Sequence, residues 1–187
     1  MINFPKVAIV ILNWNGKYYL EQFLPSVYNS SYPNLTFVIG DNASTDDSIE
    51  FIKKTYPKIT LIQNDKNYGF AGGYNRILAQ VEADYYVILN SDVEVSTGWI
   101  EPIIQAMESD PSVVVAQPKI LSSLNPNQFE YAGAAGGYID KYGYPFCRGR
   151  IFENIEFDQG QYDRSKSIFW ASGAAFFIKS EIWKKSG

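Results

Sequence analysis

Histidine is missing from all 187 residues. Its absence excludes serine–histidine triads, cysteine–histidine pairs and histidine-ligated metals, so any general base must be a carboxylate, a lysine or a tyrosine. Cysteine is nearly missing too. A lone Cys147 makes neither an internal disulfide nor a cysteine-based zinc site, and a reducing cytoplasm is the simplest setting for such a chain. Long apolar runs are lacking: the longest clean one, Val7 to Leu12, has six residues, where a membrane-spanning helix needs about twenty. The N-terminal stretch carries one lysine and no small-residue cleavage site, which speaks against a secretory signal. Peripheral association with the inner face of a membrane is compatible with all of this. An excess of positive charge is also absent. Sixteen Lys and Arg against twenty Asp and Glu leave a net charge of −4, a poor basis for a large nucleic-acid footprint.

What is present is a folding composition. With 46% hydrophobic and 19% charged residues, the chain is not disordered, collagen-like or coiled coil. Short Val- and Ile-rich runs at Val7–Leu12, Leu35–Ile39, Ile59–Ile62, Tyr85–Leu89 and Val113–Ala116 predict strands buried on both faces. Helical stripes lie between them: Leu20, Phe23, Leu24 and Val27; Ile49, Ile52 and Tyr56; Tyr74, Ile77, Leu78 and Val81; Trp99, Ile103 and Met107. Ser44 or Thr45, and Ser96 or Thr97, predict helix starts, while Pro57 and Pro111 predict helix ends. Pro25 predicts an interruption in the first helix. This alternation implies an α/β fold, a Rossmann-like, mostly parallel sheet with helices on both faces. The pattern changes at Lys119. Residues 1–118 read as the α/β half, and 119–187 as a smaller, partly antiparallel extension dense in Gly, Tyr and Asn. A short helix is expected at Ser180–Lys185, and there are no internal repeats or low-complexity tracts.

Ligands of open parallel sheets bind outside the carboxyl ends of the strands. Four consecutive strand ends run into polar loops: Asn13-Trp14-Asn15-Gly16, Asp41-Asn42-Ala43-Ser44-Thr45-Asp46, Asn64 to Gly73, and Asn90-Ser91-Asp92-Val93-Glu94. Asn, Asp and Gly also serve ordinary turns, but four loops of one character predict a shared site. Gly69, Gly72 and Gly73 let a backbone approach a phosphate or sugar, and the helix beyond them favours an anion at its start. The loop is neither GxGxxG nor GxxxxGK[ST], so neither dinucleotide nor P-loop binding is indicated. Extended geometry would point Asn90, Asp92 and Glu94 one way and Val93 and Val95 into the core.

In this order and spacing, across about 175 of the 187 residues, these elements together with Ser172-Gly173-Ala174-Ala175 resemble the family 2 glycosyltransferases of GT-A fold, especially their rhamnosyltransferase-like branch. The resemblance implies transfer of a sugar from a nucleoside-diphosphate sugar, a dTDP- or UDP-sugar, to an acceptor hydroxyl with inversion, in polysaccharide or cell-envelope glycan synthesis. It implies a donor site of Asn13, Trp14, Asn15, Asp41, Asn42, Asp46, Asn67, Gly69, Gly72, Asn75, Asn90 and Ser91, with Asp41 reading a uracil or thymine imide. Asp46 serves equally as a helix-start residue, and Arg76 is either a diphosphate contact or an exposed helical residue. Trp170, Ser172 and Gly173 would face a glycan or lipid-linked acceptor, with Phe169 and Trp170 alternatively core residues of a strand.

Asn90-Ser91-Asp92 stands where the family has Asp-x-Asp. Asp92 would therefore anchor a divalent metal, Mg²⁺ or Mn²⁺, held weakly without donor because Asn90 has replaced a carboxylate. The resemblance places the general base in a Glu-Asp pair, and no such pair occurs up to Gly187. The chain is thus expected to be C-terminally truncated, binding donor with little or no turnover. Oligomeric state is not legible. A non-catalytic nucleotide-sugar-binding domain is the alternative. A phosphatase with Asp41 as nucleophile would need a second Asp where Ala43 stands, and a nucleotidyltransferase would need a basic Gly-rich loop near the N-terminus.

Overall fold

The structure, a computed structural model, describes residues 4–131 and 133–186. Residues 1–3 and 187, the outer ends of the two segments drawn above, lie outside the described residues. The α/β half runs β1 (Val7–Asn13), α1 (Lys17–Tyr28), β2 (Leu35–Asp41), α2 (Ser48–Thr55), β3 (Thr60–Gln63), α3 (Gly69–Leu78), β4 (Tyr85–Leu89), α4 (Glu101–Ser109) and β5 (Val115–Ala116). Four short strands follow: β6 (Gly137–Ile139), β7 (Pro145–Cys147), β8 (Arg150–Ile151) and β9 (Asn154–Ile155). The chain then returns through β10 (Ala175–Lys179) and α5 (Ser180–Ser186).

The main sheet has the order β3-β2-β1-β4-β10-β5. Strands β1 to β4 are mutually parallel, and β10 runs antiparallel to both β4 and β5. Because β10 and α5 rejoin the main sheet, position 118/119 divides the sequence without dividing the sheet. Alternate residues of β1 feed two cores, as the two-residue strand period requires. Val7, Ile9 and Ile11 meet Leu20, Leu24 and Val27 of α1, Ile52 of α2, and Ile104 and Met107 of α4. Ala8 and Val10 meet Tyr74, Ile77 and Leu78 of α3 on the other face, with Ile182 and Trp183 of α5 at its margin. Helices thus cover both faces, and connections leave β1 and β4 on opposite sides, which makes the gap between them the topological switch point.

Several local expectations are corrected. Helix α1 runs through Pro25. Pro25 and the Glu21 carbonyl it fails to serve lie on the exposed side, while buried Leu20, Leu24 and Val27 hold the helix down. Helix α2 starts at Ser48 rather than Ser44 or Thr45, because left-handed Ala43 (φ 63°) keeps that segment a loop. Helix α4 starts at Glu101, past left-handed Gly98 and well after Ser96 and Thr97. The glycine stretch is not a loop before α3 but its first turn. Strand β3 is a half-exposed edge, and Val113–Ala116 contributes only the two residues of β5.

One side chain holds the switch point open. Strands β1 and β4 pair as far as Ile11 and Leu89 and then part. The buried Tyr74 hydroxyl fills the fork, donating to the Leu89 carbonyl at 3.1 Å and accepting from the Leu12 N–H at 3.3 Å. Burial raises its pKa far above the ordinary tyrosine value, against the smaller lowering effect of those two backbone bonds.

The extension forms the predicted antiparallel piece, a sheet of order β6-β7-β8-β9. Its small core joins Phe129, Ala134, Ala135 and Cys147, with Tyr162 and Trp170 against them. Lys119 closes it by ion pairs to Asp158 (2.5 Å) and Asp163 (2.7 Å). Among the described residues no helix is long and apolar enough to cross a membrane.

Candidate active site

Parallel pairing brings the carboxyl ends of β1 to β4 to one edge. The first two loops are interlocked there. Asp41 is completely buried (0% exposed), its Oδ1 accepting from Asn13 Nδ2 at 3.0 Å and its Oδ2 from the Ser44 N–H at 2.9 Å. The same Asn13 amide donates to Ser44 Oγ at 3.0 Å. Asn13 Oδ1, in a side chain 1% exposed, has no partner among the described residues and faces Gly16. Asn15 is left-handed (φ 51°), a conformation Asn tolerates. It donates its N–H to Ser44 Oγ at 2.9 Å, and its Oδ1 accepts from the backbone N–H groups of Thr45 (2.7 Å) and Asp46 (3.3 Å).

Asp46 completes this lock. Its Oδ2 accepts from the Lys17 N–H at the start of α1, and its Oδ1 from the N–H and hydroxyl of Ser48 at the start of α2. Partial burial pushes the carboxyl up, but the bonds from Ser48 and Lys17 outweigh it and hold the pKa below the ordinary Asp value. A carboxylate depressed in the folded state adds stability above its unfolded pKa and loses it as pH falls through the folded one. Urea midpoints measured from about pH 5 down to about pH 3 are therefore expected to fall less steeply in Asp46→Asn than in the parent.

The third loop hangs from Asn42, also buried. Its Nδ2 donates to Asn67 Oδ1 (2.8 Å) and to the Gly69 carbonyl (3.0 Å). Its Oδ1 accepts from Asn64 Nδ2 (3.0 Å) and the Tyr68 N–H (3.1 Å). Asn67 Oδ1 also takes the Gly69 N–H at 2.8 Å. Gly73 packs close by, where an added Cβ would lie 2.7 Å from the Leu12 side chain and 3.1 Å from Asn42 Nδ2. Beyond them Asn75 is exposed, and the Arg76 guanidinium lies 3.7 Å from the centroid of the Tyr68 ring.

The fourth loop turns rather than running extended. Asn90 and Ser91 are half-buried and Asp92 is exposed in a turn, while Val93 and Val95 pack on the core as expected. The Asn90 N–H donates to the Ala174 carbonyl at 2.9 Å, tying this loop to the segment before β10. There Ser172 is buried, its N–H bonded to Gln117 Oε1 at 2.7 Å. Gly173 faces Phe70 of α3. Trp170, expected to face an acceptor, is half-buried: its indole packs against Gly137 and its N–H donates to the Tyr138 carbonyl at 3.0 Å. Phe169 is exposed beside it.

The expected residues thus gather at one edge but divide by role. Asn15, Asp41, Asn42, Asp46, Asn67 and the Asn13 Nδ2 group bond to one another and to the loop backbone, while Asn13 Oδ1 is left without a partner among the described residues. A base N–H would reach Asp41 only if Asn13 or Ser44 gave way. Trp14 (59% exposed), Asn75, Asp92 and most of the first turn of α3 remain exposed. Sequence reasoning assigned no site role to Phe70, Tyr74, Asn64 or Gln117; Tyr74 reads there only as part of a helical stripe, and its hydrogen bonds to Leu12 and Leu89 span 15 or more residues.

The family model described as Glycosyl transferase family 2 matches residues 8–183, nearly the whole chain. The chain belongs to this family. An uncharacterized glycosyltransferase of Haemophilus influenzae is 28% identical over 60% of this family 2 chain and 36% of its own length. An N-acetylglucosaminyl-diphospho-decaprenol L-rhamnosyltransferase of Mycobacterium tuberculosis is 20% identical, covering 97% of this chain and 64% of the relative. The chain therefore spans about a third to two thirds of these relatives. The fold is GT-A. S. aureus TarS 1-349 superposes with a TM-score of 0.63 at 15% identity, over 96% of this chain and 48% of that one. Mannosyltransferase PcManGT from Pyrobaculum calidifontis, solved with GDP-Man and Mn2+, gives 0.54 at 23% identity, over 64% and 36%.

Proposed function

We propose that this family 2 chain carries the donor site for inverting transfer of a sugar from a dTDP- or UDP-sugar to the hydroxyl of a glycan or lipid-linked acceptor. The setting is cytoplasmic, against the inner face of a membrane, in cell-envelope or polysaccharide glycan synthesis. One observation carries the reading: the four strand-end loops and the segment before β10 share one edge, joined by the bond from Asn90 to Ala174. Donor and acceptor sides therefore meet at the switch point. Trp14 offers an exposed ring to a nucleobase, and Asn75, Asn90 and Ser91 offer amide and hydroxyl groups to sugar oxygens. The start of α3, with Gly69 and Gly72, suits the diphosphate.

A divalent cation fits this donor set only as a partner of the substrate. Among the described residues no three carboxylates, histidines or cysteines converge. Exposed Asp92, beside Asn90 and Ser91, supplies one carboxylate, which suits Mg²⁺ or Mn²⁺ filling its shell from phosphate and water. Bound there, the cation would supply charge to stabilise the departing diphosphate. The single carboxylate also favours the second reading, a nucleotide-sugar-binding domain without turnover.

Thermal melts with UDP, dTDP and GDP, each with Mg²⁺ or Mn²⁺, test the proposal. At a hundredfold excess over Kd a pyrimidine diphosphate is expected to raise the midpoint by about 5–10 °C, and GDP less. No shift with either pyrimidine diphosphate removes the donor site. Binding without nucleotide release in the presence of acceptor glycans selects the second reading.

A further inference from the structure

Trp170, half-buried against Gly137, is one aromatic near the segment before β10. A second ring reaches that segment from α3. Phe70 sits in the first turn of α3 and is 52% exposed. Its ring meets that of Tyr74 edge-on, with centroids 4.9 Å apart and planes at 64°. Tyr74 is itself fixed by its two backbone bonds across the β1/β4 fork. On the other side lies Gly173, where an added Cβ would come within 3.2 Å of the Phe70 ring tip. The ring therefore spans the seam between α3 and the segment bonded to Asn90 through Ala174.

The ring touches Tyr74 and approaches Gly173, yet keeps about half its surface open. What sets it apart from the chain's other exposed Phe rings is its place, between the start of α3 and the segment before β10. Its surroundings divide the tasks of sugar binding. The helix start and Asp92 suit charge, and Asn75, Asn90 and Ser91 suit hydroxyl groups. An uncharged aromatic face suits the remaining part of a pyranose, its C–H face, whose burial against a ring is favourable.

We propose that Phe70 and Gly173 form a sugar subsite. Phe70 is the platform for the C–H face of the transferred hexopyranose, and Gly173 leaves room at the ring tip, where a Cβ would press on it from 3.2 Å. The subsite selects donors whose sugar presents a continuous C–H face on one side. This inference rests on the donor reading above and adds to it the contact that distinguishes a nucleotide-sugar from its nucleotide.

The test compares UDP and dTDP with UDP-glucose, UDP-galactose, UDP-GlcNAc and dTDP-glucose by calorimetry, using the parent chain, Phe70→Ala, Phe70→Leu and Gly173→Ala. The parent is expected to bind at least one sugar donor more tightly than its bare nucleotide. Phe70→Ala should weaken that donor about tenfold and the nucleotide less than about twofold. Pyranose C–H protons should show upfield ring-current shifts on binding to the parent. Phe70→Leu, which keeps apolar bulk, should abolish them, and Gly173→Ala should reduce them. Equal losses for donor and nucleotide would assign Phe70 to packing and overturn the subsite. So would unchanged donor binding in Phe70→Ala, or a parent that gains nothing from any of the four sugars. Failure of the parent to bind even UDP and dTDP is a different result: it removes the donor site, and the subsite with it.

Discussion

Asn42→Ala is expected to destabilise the protein by about 2–4 kcal/mol and lower its melting midpoint by about 5–15 °C. The size of the effect comes from four bonds made by one buried amide. It donates to Asn67 and the Gly69 carbonyl, and accepts from Asn64 and the Tyr68 N–H. Truncation leaves the Gly69 carbonyl and Tyr68 N–H without these partners in a half-closed loop, where unmade bonds cost more than made ones contribute. Asn42→Asp should do no better, since a carboxylate would face the Gly69 carbonyl and Asn67 Oδ1 with nothing to donate. UDP affinity should also fall, although Asn42 has no free polar group to offer a ligand, because α3 begins at the residue it holds. Thermal melts and calorimetry with UDP check both effects. A loss under about 0.5 kcal/mol would mean that the third loop holds its shape without Asn42.

The parallel sheet was readable because its strands are short Val- and Ile-rich runs separated by helical stripes, and both periodicities are local. What failed was also local. Ser44 and Thr45 look like helix caps, but Ser44 Oγ accepts from Asn13 and Asn15 and the Thr45 N–H donates to Asn15, about 30 positions back. Pro25 looks like a break, but its missing bond falls on the exposed side of α1. The insertion of β10 between β4 and β5 depends on pairing across some sixty to ninety positions, which no window of sequence displays.

The site was legible as a place and less so as a set of roles. An Asn or Asp at a strand end has the same appearance whether it points at a ligand or at its neighbour. Asp41 and Asn13 are the clearest instance: the Asn13 amide donates to the buried Asp41 carboxylate, and their outward character on paper becomes an internal brace. The placing of Trp170 and Phe70 was hidden for a related reason. Burial of an aromatic depends on what stands across from it, Gly137 in one case and Gly173 in the other, and that pairing is tertiary.

Asp92→Ala is expected to abolish the Mg²⁺-dependent part of UDP affinity and to lower any transfer rate about 100- to 1000-fold. Unliganded stability should stay within about 0.5 kcal/mol of the parent. Both expectations follow from its position. The carboxylate is exposed in the turn after β4, and no hydrogen bond or ion pair among the described residues uses it, so folding has little to lose. Asn90 and Ser91 are neutral, which leaves Asp92 the one charged residue of the three. At 4 Å and an effective dielectric near 20, each pair of unit charges interacts by about 4 kcal/mol, and a dication doubles that before desolvation is subtracted. An amide in its place retains shape and oxygen but not this attraction, so Asp92→Asn should match Asp92→Ala. Asn90→Asp should act in the opposite sense, tightening Mg²⁺-dependent UDP binding by adding a second carboxylate beside the first. Glu94, also exposed two positions further on, separates a specific ligand from a general acidic field. Glu94→Gln should change little if Asp92 acts alone. Calorimetric titration of UDP with and without Mg²⁺ across these variants decides the matter: full metal dependence in Asp92→Ala would place the cation on other atoms of the crevice.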